Sequence, residues 1–143
     1  MTTTSYFKHY QMVDQVDHWK DAIRLAAQPM LDHQWITENY VQSMIQNVLD
    51  NGPYIVIMPQ VALPHTRSEE GALRTSVSVV KLVEPVLFPE DKEVKLVVAF
   101  SASDNETHMK LLSSLVDVLM DDDVMEKTLD CYQLQTLKEL FVL

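Results

Sequence analysis

Apolar residues recur along the chain at two periods, and the changes of period divide it into elements. Over residues 17–28, Trp19, Ala22, Ile23, Ala26 and Ala27 share one helical face, with Asp17 placed to cap it. Pro29 either ends this helix or begins another turn. Thr37 is a second cap, after which Val41, Met44, Ile45, Val48 and Leu49 repeat at helical spacing as far as Gly52. Residues 54–58 are continuously apolar between Pro53 and Pro59, which predicts a buried strand.

Residues 75–83 alternate, with Val77, Val79 and Lys81 on one side and Ser76, Ser78, Val80 and Leu82 on the other. That is a strand beneath a partly covered face. A valine-rich strand follows over residues 94–100. Asp104 or Asn105 then caps a helix with the stripe Leu111, Leu112, Leu115, Val116 and Leu119. The run Asp121-Asp122-Asp123 opens a short helix carrying Val124 and Met125, and residues 134–141 form a last amphipathic segment. The first ten residues fit either a mobile arm or pairing at a sheet edge. The order predicts an α/β chain: a single three-layer α/β/α domain over residues 1–143, with a central mixed sheet flanked by helices.

Composition narrows the chemistry. With 47% hydrophobic residues among 143, the chain can bury a core. No apolar run reaches the ~20 residues of a membrane span, and the N-terminus lacks the pattern of a signal peptide. Together with the single Cys131, this points to the cytoplasm. A net charge of −10 excludes the basic footprint of a nucleic-acid binder; it fits either a basic partner or acidity that simply keeps the protein soluble. Two glycines, Gly52 and Gly71, are too few for a phosphate loop or a dinucleotide fingerprint.

The candidate chemistry centres on Val61-Ala62-Leu63-Pro64-His65-Thr66-Arg67. Proline stiffens the approach to an imidazole that can act as a nucleophile near neutral pH. Thr66 and Arg67 add anion donors, although local spacing alone also fits a solvated loop histidine. His108 falls in the first turn of a helix that follows a strand, where α/β sheets bind ligands; an exposed first-turn residue is the alternative. Arg74 competes with Arg67 as the anion binder. His9, His18 and His33 lack metal-ligand spacing, the acidic run lacks the pattern of a calcium loop, and Cys131 reads as core. No metal or cofactor is expected, and no hydrolase triad can be written.

These histidine segments, with Trp19-Lys20-Asp21-Ala22-Ile23-Arg24, Tyr40-Val41-Gln42-Ser43-Met44-Ile45, Asn51-Gly52-Pro53-Tyr54-Ile55-Val56-Ile57 and Asp104-Asn105-Glu106-Thr107-His108-Met109-Lys110-Leu111-Leu112, carry a family resemblance. The chain resembles the enzyme IIA component of the bacterial phosphoenolpyruvate-dependent sugar phosphotransferase system (PTS), of the fructose–mannitol type, and within it the L-ascorbate branch. The likeness covers nearly all of the chain beyond residue 10.

The resemblance implies that His65 carries a phosphoryl group on Nε2. It would receive the group from phospho-HPr and pass it to a cysteine of enzyme IIB, with the membrane component IIC acting later on the sugar. His108 would assist by hydrogen bonding. One departure stands out: mannitol-type members have an arginine on the second helix, and Ile45-Gln46-Asn47-Val48 has none. Arg67, with Thr66, would then stabilise the phosphate. Similar domains also act as regulators without sugar transport. A homodimer contact through residues 137–143 is a further expectation.

Overall fold

The computed structural model describes residues 6–143. Residues 1–5 of the N-terminal arm lie outside the described residues. The rest of that arm is resolved in favour of edge pairing. Strand β1 (Phe7–Val13) lies parallel to β4 (Ser76–Phe88), with His9 opposite Ser78. The five-stranded sheet runs β1-β4-β5-β3-β2, where β2 is Val56–Met58, β3 is Gln60–Ala62 and β5 is Lys92–Ser101. It is mixed: β1 with β4 and β3 with β5 are parallel, while β4 with β5 and β2 with β3 are antiparallel.

Period-two alternation in the sheet sends side chains to two separate cores. Val80, Leu82, Val97 and Ala99 meet helices α1 (Trp19–Asp32) and α2 (Glu38–Asn51) on one face. Val77, Val79, Val98 and Phe100 meet α3 (Asn105–Leu119), α4 (Asp122–Asp130) and α5 (Leu134–Leu140) on the other. Each fully buried Val, Leu or Phe contributes about 1.5–3 kcal/mol, so both faces hold the sheet. The architecture is the three-layer α/β arrangement that the pattern predicts.

Several details depart from the pattern. His18, not Asp17, caps α1, its Nδ1 accepting the Lys20 N–H at 3.1 Å. Pro29 lies inside α1, which continues to Asp32. The predicted strand over residues 54–58 shrinks to Val56–Met58, with Tyr54 and Ile57 each 46% exposed. Gln60 turns the chain in the left-handed region (φ 70°), so these residues form a short edge hairpin instead of a buried strand. Leu49 is exposed and not part of the core stripe.

Lys81 is buried outright, its Nζ donating to the carbonyls of Leu82 (2.8 Å) and Cys131 (2.9 Å). It thereby ties β4 to the link between α4 and α5. Leu137 and Phe141 are wholly buried in the second core, with Leu140 and Leu143 packed against it, so most apolar residues of the stretch considered for a dimer contact are used within the chain; Lys138, Glu139 and Val142 stay exposed.

Candidate functional site

His65 leaves the sheet just beyond β3, next to the C-terminal end of the parallel strand β5. Carboxyl ends of strands are where open α/β sheets place ligands, because the chain there is free to form loops. Pro64 is buried, and its carbonyl accepts the Phe100 N–H at 3.2 Å, which fastens the approach to His65 onto β5.

The imidazole is held on two sides. Its ring stacks on Phe100, with centroids 4.7 Å apart and planes 21° from parallel. Its Nδ1 lies 2.6 Å from the Leu63 carbonyl oxygen. A carbonyl can only accept, so Nδ1 carries the proton and donates, which leaves the lone pair on Nε2. The tautomer follows from the bond, and the free nucleophilic atom is Nε2.

His108 joins this ring. The two imidazoles have centroids 5.5 Å apart, and His108 also packs 5.3 Å from Phe100. Asp104 starts α3 by accepting the Thr107 N–H at 2.8 Å, and the His108 N–H bonds the Asp104 carbonyl at 2.9 Å. The helix start therefore fixes where the second histidine emerges.

Burial sets the protonation of both rings. It pushes the pKa of His65 below the usual histidine value, partly offset by the Leu63 bond and reinforced by His108. Burial also lowers that of His108, with Glu69 acting in the opposite direction. Both shifts favour the neutral ring at neutral pH, the form in which an imidazole nitrogen keeps a lone pair. Burial is the main cause for both rings.

The sign of the pH effect on stability follows. A buried histidine with a depressed folded pKa takes up its proton more readily when unfolded. Its contribution is present above the unfolded value near pH 6.5 and is lost as pH falls through the folded value. We expect the thermal midpoint of His65→Gln to fall less steeply than that of the wild type between about pH 7 and 5.5. Parallel curves would show that His65 is not held neutral by the fold.

The other expected site residues are placed differently. Thr66 is only 5% exposed, and its hydroxyl faces α2, within hydrogen-bond reach of Ser43 Oγ (2.8 Å) and Asn47 Nδ2 (3.1 Å). Arg67 is on the surface, its side chain 79% exposed and paired with Glu70 at 3.2 Å. Such a pair contributes at most about 1 kcal/mol, so the guanidinium is easily released to an incoming anion. Arg74 turns back on the Leu73 carbonyl. Among the described residues no cluster of three or more metal-ligating side chains occurs, and no helix is long and apolar enough to cross a membrane.

The pattern reading missed Tyr40, Ser43 and Asn47. They follow an i, i+3, i+7 spacing on α2, a polar stripe beside the apolar one, and all three reach Thr66. It also missed the role of Phe100, read as a strand residue and found beneath both histidines. Beside His65 a hollow of about 460 Å³ runs between Tyr54, Ile57 and Met58 on one side and Leu112, Val116 and Met120 on the other. Its rim is apolar and open, with Met120 71% exposed.

Comparison with known proteins gives a consistent result. The sequence model of the family described as "Phosphoenolpyruvate-dependent sugar phosphotransferase system, EIIA 2" matches residues 8–142. The mannitol-specific cryptic phosphotransferase enzyme IIA component of Escherichia coli (strain K12) is 33% identical over 132 residues, covering 90% of each chain. A solution structure of the mannitol-specific cryptic enzyme IIA from Escherichia coli superposes with a TM-score of 0.83 at 31% identity, covering 97% of this chain and 93% of that one.

The ascorbate-specific PTS system EIIA component of Escherichia coli (strain K12) is 26% identical over 136 residues, covering 93% of this chain and 88% of the relative. The complex of enzyme IIAMTL and phosphorylated enzyme IIBMTL from Escherichia coli matches with a TM-score of 0.80 at 25% identity, covering 93% of each chain.

Proposed function

We propose that this chain, which belongs to the EIIA 2 family of the phosphoenolpyruvate-dependent sugar phosphotransferase system, carries a phosphoryl group on Nε2 of His65 between two protein partners. The observation that carries this reading is the Nδ1–H donated to the Leu63 carbonyl, which leaves Nε2 as the free base.

In the first step the Nε2 lone pair attacks phosphorus in the phosphoimidazole of HPr. The phosphorus–nitrogen bond of the donor breaks, and its electron pair returns to the HPr histidine. In the second step a cysteine thiolate of enzyme IIB attacks the same phosphorus, and Nε2 regains its lone pair. No proton need leave His65 in either step, because its proton stays on Nδ1. Catalysis then rests on in-line positioning and on donors aimed at the phosphoryl oxygens.

The open apolar hollow beside His65 supports docking of both carriers at the same ring. The complex of a relative with its phosphorylated IIB supports the acceptor. HPr as donor rests on the family resemblance and on the acidity of this chain, which suits a basic face. Arg67 is assigned to the phosphate, reached by letting go of Glu70, and Thr66 is assigned to holding the loop.

L-Ascorbate is the sugar this reading favours, on the strength of α2, which turns Ser43 and Asn47 to the site and no arginine. The higher identity of the mannitol cryptic relative weighs the other way, and a panel of enzyme IIB acceptors separates the two. Action in the cytoplasm follows from the two carriers.

Phosphoenolpyruvate, enzyme I and HPr together are expected to label the wild type, and omission of HPr to prevent it. His108→Ala is expected to slow transfer about 100-fold, the usual cost of losing one donor to a developing charge, while His65 still becomes labelled. Label found on His108 of the native protein would reverse the roles of the two histidines.

A further inference from the structure

We infer that Tyr40 is a positioning residue for phosphoryl transfer: its buried phenol clamps the backbone on the far side of His65 to the strand residue on which the His65 ring stacks. The inference rests on the assignment of His65 as the phosphoryl carrier.

Tyr40 is fully buried on α2. Its hydroxyl lies 2.8 Å from the Phe100 carbonyl oxygen and 3.1 Å from that of Thr66, and it accepts the Thr66 N–H at 3.3 Å. The single phenol O–H is shared between the carbonyls of Phe100, the shorter contact, and of Thr66, while the phenol oxygen accepts the Thr66 N–H. The N–H of Phe100 is in turn bonded to Pro64, the residue preceding His65.

The ring is therefore bracketed. The Leu63 carbonyl fixes it from upstream through Nδ1, and Tyr40 fixes the chain downstream. Phe100 is pinned through its N–H to Pro64 of the loop and through its C=O to Tyr40 on α2, and supplies the face on which the imidazole lies. Ser43 and Asn47 add a second hold from the same helix on the Thr66 hydroxyl.

Every backbone group in this clamp is buried, so no water replaces the phenol when it is removed. The groups must then move to find partners, and His65 moves with them. A shift of about 1 Å at a reacting atom costs about 100-fold in rate. The Tyr40 hydroxyl touches neither phosphorus nor its donors; it acts through the line along which Nε2 points.

The test is Tyr40→Phe, assayed for transfer from phospho-HPr and by proton–nitrogen NMR of the His65 ring. We expect kcat to fall about 10- to 100-fold with KM for phospho-HPr within about twofold of the wild type, and the protonated nitrogen of His65 to divide between Nδ1 and Nε2. An unchanged kcat and a single tautomer, with only a lower melting temperature, would overturn the inference and leave Tyr40 a structural residue. A raised KM at unchanged kcat would also overturn it, by placing the effect on docking.

Should Tyr40→Phe not fold, Ser43→Ala removes one hold on Thr66 alone and is read in the same way, with a smaller fall in kcat expected and an unchanged kcat against it. A wild type that phospho-HPr cannot label would refute the carrier assignment instead, and the tautomer measurement would then decide only whether Tyr40 fixes the His65 ring.

Discussion

His65→Ala is expected to abolish labelling by phosphoenolpyruvate, enzyme I and HPr while leaving the protein folded. The ring is half-buried and lies on Phe100, and no strand or helix depends on its hydrogen bond. Its removal should cost about 1–2 kcal/mol of packing, a loss that a two-core α/β chain tolerates. Transfer has no substitute nucleophile. His108 is the nearest imidazole, but its ring is tilted 56° from that of His65 and lies 5.5 Å away, so it is not placed on the same line. Retained labelling in a folded His65→Ala protein would sink the carrier assignment.

Gly71→Ala is expected to destabilise the fold by about 2–4 kcal/mol and to impair transfer from a distance. Gly71 has φ +133°, and a Cβ added there would lie 1.9 Å from Thr37 Oγ1. Thr37 stands at the N-cap position of α2, its side chain making no capping bond, and its backbone is held because its N–H bonds the Gly71 carbonyl at 2.9 Å. Asn39 on α2 holds the neighbouring Glu70 carbonyl at 2.7 Å, and Ile36 forms a bridge with Ala72. The segment that leads away from His65 is thus fastened to the start of the helix carrying the Tyr40 stripe.

Combining the change with Thr37→Ala removes the worst overlap and leaves the strain of a positive φ, about 1–3 kcal/mol. Chemical denaturation of the single and double variants measures both parts. A Gly71→Ala protein as stable as the wild type would show that the segment has room to move.

Much of this was legible in the sequence, because the strongest signals are local. The stripes of α1, α2 and α3 and the valine-rich β5 need only periodicity. His65 after Pro64 and His108 in a first turn fall where the pattern puts them, and the structure brings their rings together.

What escaped depends on partners distant in the chain. Residues 54–58 are apolar as a buried strand would be, yet Tyr54, in the turn before β2, and Ile57, on the edge hairpin, are exposed and line the hollow beside His65. Periodicity cannot tell an exposed apolar edge from a strand buried in a core. Tyr40 lies outside the apolar stripe that periodicity assigns to α2 and enters only within the stretch that carries the resemblance. Its function depends on Phe100 and Thr66, 60 and 26 residues away, a pairing that only the sheet creates. Arg67 was singled out by its charge and neighbourhood, and the structure shows it turned outward to Glu70.

The most direct test of the central claim is the chemical identity of the phosphorylated atom. Phosphorus and proton–nitrogen NMR of the protein phosphorylated by HPr should show a single phosphoryl group on Nε2 of His65, with the Nδ1 proton still bonded to the Leu63 carbonyl. Phosphorus on Nδ1 of His65, or on any other residue, would contradict the account.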